Sequence, residues 1–141
     1  MRVVFDPNVI ISATLSPGGT PALIYELWRR GAFELVVSPK LLWELEGVLS
    51  REKFTHLVHP DEVAQLVLVL TSDAVLVPDP AEEPEVRSAD PDDDYLIALA
   101  SHTRSVLISG DKDLLDLSDR IPVYSPAQFR ALIEDAISDP T

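Results

Sequence analysis

The chain has 141 residues, 46% hydrophobic and 25% charged with a mean hydropathy of +0.12, a size that fits one domain over residues 1–141 with a core of its own. Twenty-four Asp and Glu against eleven Lys and Arg give a formal charge of -13, a field that repels phosphate backbones and by itself argues against a nucleic-acid protein. No apolar run approaches the roughly 20 residues needed to span a bilayer. Asp6, Pro7 and Asn8 make the start a poor secretory signal, and zero Cys removes disulfides and thiolate metal sites, so a soluble, cytoplasmic chain is expected.

Val3 to Phe5 is a short apolar run, read as a first strand, and an apolar-rich helix near Pro21 to Arg30 follows, opened by Thr20 before a Pro in the first turn. Glu34 to Val37 reads as the second strand, and Ser38-Pro39 caps a helix running to about Leu49. His59-Pro60-Asp61 opens another helix to about Leu70, and Ala74 to Val77 is a third short apolar run. Asp79 to Asp94, DPAEEPEVRSADPDDD, holds eight acidic residues and one Arg, so this stretch carries -7 of the total charge. Its prolines and near lack of apolar residues make it a strand-to-helix connection. A helix from about Asp93 to His102, a fourth strand at Ser105 to Ile108 and a polar turn, Ser109-Gly110-Asp111-Lys112-Asp113, come next. A short apolar segment leads to a fifth strand near Pro122 to Tyr124, and Ser125-Pro126-Ala127-Gln128 is a capping box that opens the last helix. Alternating helices and short apolar strands predict an α/β fold with a parallel sheet covered on both faces. Ligands of such folds bind beyond the carboxyl ends of the strands.

Acidic residues are predicted at that edge. Asp6 follows the first strand, Asp111 and Asp113 follow the fourth, and Asp92, Asp93 and Asp94 begin a helix. Glu44 or Glu46 lies one or two turns into the second helix, and both flank its apolar stripe, so periodicity does not choose between them. Asp93 stands three and four residues before Leu96 and Ile97 and seven before Ala100, in line with the inward face, whereas Asp94 points away. Each acid alone reads as an ordinary turn, cap or solvated residue. Joint placement at one edge asks for a neutralising cation, and oxygen donors without Cys suit Mg²⁺ or Mn²⁺.

In VVFDPNVIISA, SPKLLWELEGVL, DPDDDYLIALA and LISGDKDLL, taken in order, the chain resembles the PIN-domain ribonucleases, especially the toxins of VapC-type toxin-antitoxin pairs. The resemblance covers nearly the whole length. It implies a Rossmann-like α/β/α sandwich with a parallel sheet of four to five strands. It also implies a metal centre of Asp6, Glu44, Asp93 and Asp111, with Asp113 as a further acidic neighbour. Its Glu-Leu pattern picks Glu44 over Glu46, and the 18-residue step to Asp111 fits Asp93 better than Asp94. Asn8 and Ser109 match small polar positions that orient ligands, while Pro7 departs from the hydroxyl residue commoner there. The implied activity is metal-dependent hydrolysis of single-stranded RNA. Asp6, Asp93 and Asp111 would hold the ion, and Glu44 would bind through water or position the attacking hydroxide. A cognate antitoxin and a homodimer are the implied partners.

Other readings fit less well. A haloacid-dehalogenase-like phosphohydrolase needs a second Asp where Asn8 stands, and a receiver-like phospho-acceptor or binding module needs an acceptor Asp where Val77-Pro78 stands. An EF-hand beginning at Asp90 meets Tyr95 at its Gly position and Ser101 at its Glu position. His56 and His59 read as surface or capping residues. For Trp28 and Trp43 alike, a partner-covered face and core packing both stay open, and Lys40 and Lys112 are the cations expected nearest the crevice.

Overall fold

Strand β1 (Arg2–Phe5) lies at the centre of a five-stranded, wholly parallel sheet with β2 (Glu34–Val37), β3 (Val75–Leu76), β4 (Val106–Ile108) and β5 (Val123–Tyr124), in the order β3-β2-β1-β4-β5. This computed structural model describes residues 1–138, so the expected domain over 1–141 runs past the described residues at its end. In β1, Val3, Val4 and Phe5 are all buried, as are Leu35, Val36 and Val37 in β2. Successive strand residues face opposite sides, so burial of every one means that both faces are covered, giving the expected α/β/α layering.

Helices α1 (Pro7–Leu15), α2 (Thr20–Arg29), α3 (Pro39–Leu49), α4 (Pro60–Asp73) and α7 (Pro126–Ser138) pack on one another in a chain, while α5 (Asp94–Thr103) lies against β1 and β4. A single turn, α6 (Lys112–Leu115), follows β4. Helix α1 has no counterpart in the periodicity. Its apolar side chains Val9, Ile10 and Ile11 are consecutive and all buried, and the exposed Asn8 and Ser12 leave only a narrow polar stripe to mark it as a helix. What starts it is Asp6, whose side chain accepts the Asn8 N–H, followed by Pro7 in the first turn.

Other ends follow local chemistry. Ser38 Oγ accepts the Leu41 N–H at the start of α3. Ser125 and Gln128 exchange both bonds of the expected capping box. Thr20 proves to be inside α2, not its cap: Gly19 takes the cap position without a side-chain bond. His59 caps α4 through Nδ1 and forms a box with Glu62, which is the capping role. Trp28 is buried at 6% exposure, edge-on to Tyr25, while Trp43 is 74% exposed.

Register determines the functional edge. Phe5 pairs with Ile108, and the next residue, Asp6, donates its N–H to the Ile108 carbonyl at 2.9 Å. Ser109 likewise donates its N–H to Tyr124 O at 3.0 Å. The chain runs outward from β1 to β2 and β3, then returns to β4 on β1's other side. The carboxyl ends of β1 and β4 are therefore where the strand order reverses, the place where open α/β sheets form their crevice.

Candidate active site

Asp6 is buried at 4% exposure beyond β1. Its Oδ1 accepts the Asn8 N–H at 3.0 Å and its Oδ2 accepts the Ser109 hydroxyl at 2.8 Å. Burial pushes the Asp6 carboxyl above its ordinary value; those two bonds pull it down, and the charges of Asp111 and Glu44 push it up again. Asn8 thus touches Asp6 through its backbone, whereas Ser109 touches it through its side chain.

Ser109 also accepts the Asp111 N–H at 3.0 Å, so one buried hydroxyl joins two of the acids. Asp111 caps α6 by accepting the Asp113 N–H at 2.9 Å. Asp113 enters through its backbone; the acids that act on Asp6 are Asp111 and Glu44, and those that act on Asp93 are Asp111, Asp6 and Asp90.

Asp93 ends a 3₁₀ turn (Pro91–Asp93) and takes the cap position of α5. Its carboxyl is raised to about 7, first by burial, then by a hydrogen bond shared with Asp111, then by the charges of Asp6, Asp111 and Asp90. Oδ2 of Asp93 is buried and has no hydrogen-bond partner. Asp94 instead accepts the Ser88 N–H at 2.7 Å, with Arg87 at 3.9 Å, and Asp92 stays exposed.

Glu44 is half-buried on α3 and Glu46 is exposed. Glu44 Oε2 accepts the Tyr95 hydroxyl at 2.7 Å, and its charge reaches Asp6. In the sequence Tyr95 stands out only as the residue that breaks an EF-hand pattern, not as a site residue. A tyrosine in the first turn of a buried helix needs a partner for its hydroxyl, which is the signal that could have singled it out. Its phenol is pushed above the ordinary value by burial first and by Glu44 next. Lys40 Nζ lies 4.5 Å from the centroid of the Tyr95 ring, and the Lys40 N–H donates to Asp79 Oδ2 at 2.9 Å. Lys112 is exposed and bonds Asp116 at 2.7 Å, so of the two expected cations Lys40 sits among the site residues.

The family model of the PIN domain matches residues 2–113, a span that contains Asp6, Glu44, Asp93, Asp111 and Asp113. The chain belongs to the PIN domain family. PIN domains are generally nucleases, and they generally use a divalent metal. A curated relative, the uncharacterised protein MJ1680 of Methanocaldococcus jannaschii, is 30% identical over 149 residues, covering 98% of this chain and 95% of its own. A solved structure, VapBC2 from Rickettsia felis bound to a DNA fragment from their promoter, matches with a TM-score of 0.58 at 14% identity. The match covers 89% of this chain and 98% of that one. A likeness at that identity speaks for the fold, which the five-stranded PIN-type sheet shares.

The residues present fit a hard divalent cation. All donors are oxygens, the Asp6 and Asp93 carboxyls are pushed toward protonation, and Asp93 Oδ2 is buried without a partner. Among the described residues, no three acidic or His side chains form a ready ligating group. Mg²⁺ characteristically binds through one or two carboxylates and keeps several waters, which suits so open an arrangement.

Proposed function

We propose that this PIN domain is a Mg²⁺- or Mn²⁺-dependent endoribonuclease that cleaves single-stranded RNA and serves as the toxin of a toxin-antitoxin pair, as a cytoplasmic homodimer. The observation that carries the reading is the convergence of Asp6, Glu44, Asp93 and Asp111 at one sheet edge, with a buried Asp93 oxygen lacking any partner. Asp6, Asp93 and Asp111 would hold the cation, with Glu44 reaching it through water and Asp113 as an outlying acid. When bound, a divalent cation offsets the carboxylate charge, acidifies water and stabilises the leaving oxygen.

Asp6 is the rigid member, since Ser109 and the Asn8 backbone hold both of its oxygens. Glu44 orients the attacking water, and Lys40, at the start of α3, meets the approaching phosphate. The toxin and antitoxin assignment is supported by the resemblance of the motifs and by the VapBC2 complex among the fold relatives. Exposed Trp43 leaves apolar surface for such a partner.

The test is cleavage of single-stranded RNA by purified protein with Mn²⁺ or Mg²⁺. Cleavage is expected to vanish in EDTA and in Asp6→Asn and Asp93→Asn. Unchanged cleavage in both variants overturns the reading. Growth arrest on expression, relieved by Asp93→Asn, distinguishes a toxin from a housekeeping nuclease.

A further inference from the structure

We infer that Tyr95 is a positioning residue, whose hydroxyl holds the Glu44 carboxylate among the other acids and so tunes divalent-cation affinity. The inference rests on the metal-site reading above and extends it to a residue outside the acidic set. Glu44 has a long, freely rotating side chain on α3, and the Asp6 charge faces it across the site. Two carboxylates left to themselves swing apart. Among the described residues, the hydrogen bond Glu44 receives at its side chain is the 2.7 Å contact from Tyr95.

Tyr95 can hold that position because its ring is itself fixed. The residue is the second of α5, two positions after Asp93, and its ring face lies beneath the Lys40 ammonium at 4.5 Å. The Lys40 backbone is in turn tied to Asp79. Helices α3 and α5 come from opposite sides of the acidic connection in the chain, and Tyr95 links them where the acids meet. A phenylalanine would fill the same space without the donor. The tyrosine hydroxyl therefore adds nothing to the apolar packing and acts on the carboxylate.

The experiment is calorimetric titration of Mn²⁺ alone into wild type, Tyr95→Phe, Glu44→Gln and the double variant, with melting temperatures in EDTA beside each. Tyr95→Phe is expected to weaken Mn²⁺ binding about 10-fold, as loss of a residue that orients a ligand does. It should leave the EDTA melting temperature within about 2 °C of wild type. In the Glu44→Gln background the same change should have no further effect, because a residue acting through Glu44 is silent without it. Equal Mn²⁺ affinity in wild type and Tyr95→Phe, or full additivity in the double variant, overturns the role of Tyr95 while leaving the metal site standing. Equal affinity in wild type and Asp6→Asn overturns the metal site and Tyr95's role with it.

Discussion

Two acid-rich regions of this protein behave oppositely. In the middle of the connection, Glu82, Glu83 and Glu85 are consecutive or nearly so and exposed, and Glu83 pairs with Arg87. At the sheet edge, Asp6, Glu44, Asp93 and Asp111 are far apart in sequence, yet Asp111 and Glu44 push the Asp6 carboxyl up, and Asp6 and Asp111 push the Asp93 carboxyl up. Charge density along the chain is relieved by water, whereas charge brought together by topology is not. The connection joins the two regimes: Asp79 at its start reaches α3, and Asp93 at its end enters the site.

Under the proposed function, the contrast has its largest consequence in catalysis. Asp6→Asn or Asp111→Asn should lower RNA cleavage by about 100-fold or more. The triple change Glu82→Gln, Glu83→Gln, Glu85→Gln removes three negative charges and should leave the rate within about twofold, because those charges are screened. Equal losses from both sets would mean that bulk charge, not convergence, governs the enzyme.

Cation binding comes next. A Mn²⁺ concentration of one hundred times Kd should add about 2.7 kcal/mol to stability, read as a rise in melting temperature. The connection triple should keep that rise and Asp6→Asn should lose it.

The smallest effect concerns pH in EDTA. The Asp93 carboxyl is raised from 3.8 to about 7, so the folded state holds a proton that the unfolded chain has released. That proton stabilises the fold fully below the ordinary value, and the contribution is lost as pH rises through about 7. Asp93→Asn should flatten this slope. At pH 8 it should raise the metal-free melting temperature by about 3 °C, a modest shift because the group is only half-buried and partly screened. A melting temperature independent of pH between 4 and 8 in wild type would show that Asp93 is not under strain.

Much of the fold was legible because short, fully apolar strands separated by capped helices have few arrangements other than a covered parallel sheet. Ser38, Ser125 and Gln128 announce helix starts by chemistry that needs only neighbours in sequence. Helix α1 was not legible, since its consecutive apolar residues Val9, Ile10 and Ile11 are all buried and the exposed pair Asn8 and Ser12 is too short a polar stripe to set a helical period. Trp28 and Trp43 look alike in sequence, and only packing sends one into the core and leaves the other exposed.

The sequence by itself determined which residue types stand at strand ends and helix starts, and hence that the edge at the carboxyl ends of the strands would be acidic and built of hard oxygen donors. Tertiary structure decided their mutual relations. Strand order set β4 beside β1, which let Ser109, already bonded to Asp111 within its own turn, reach Asp6. The meeting of α3 and α5 gave Glu44 its tyrosine and left Glu46 in solvent. Hydrogen bonds and charge interactions depend on separation in space, and residues as distant along the chain as Glu44 and Tyr95 acquire a separation only when the sheet has formed.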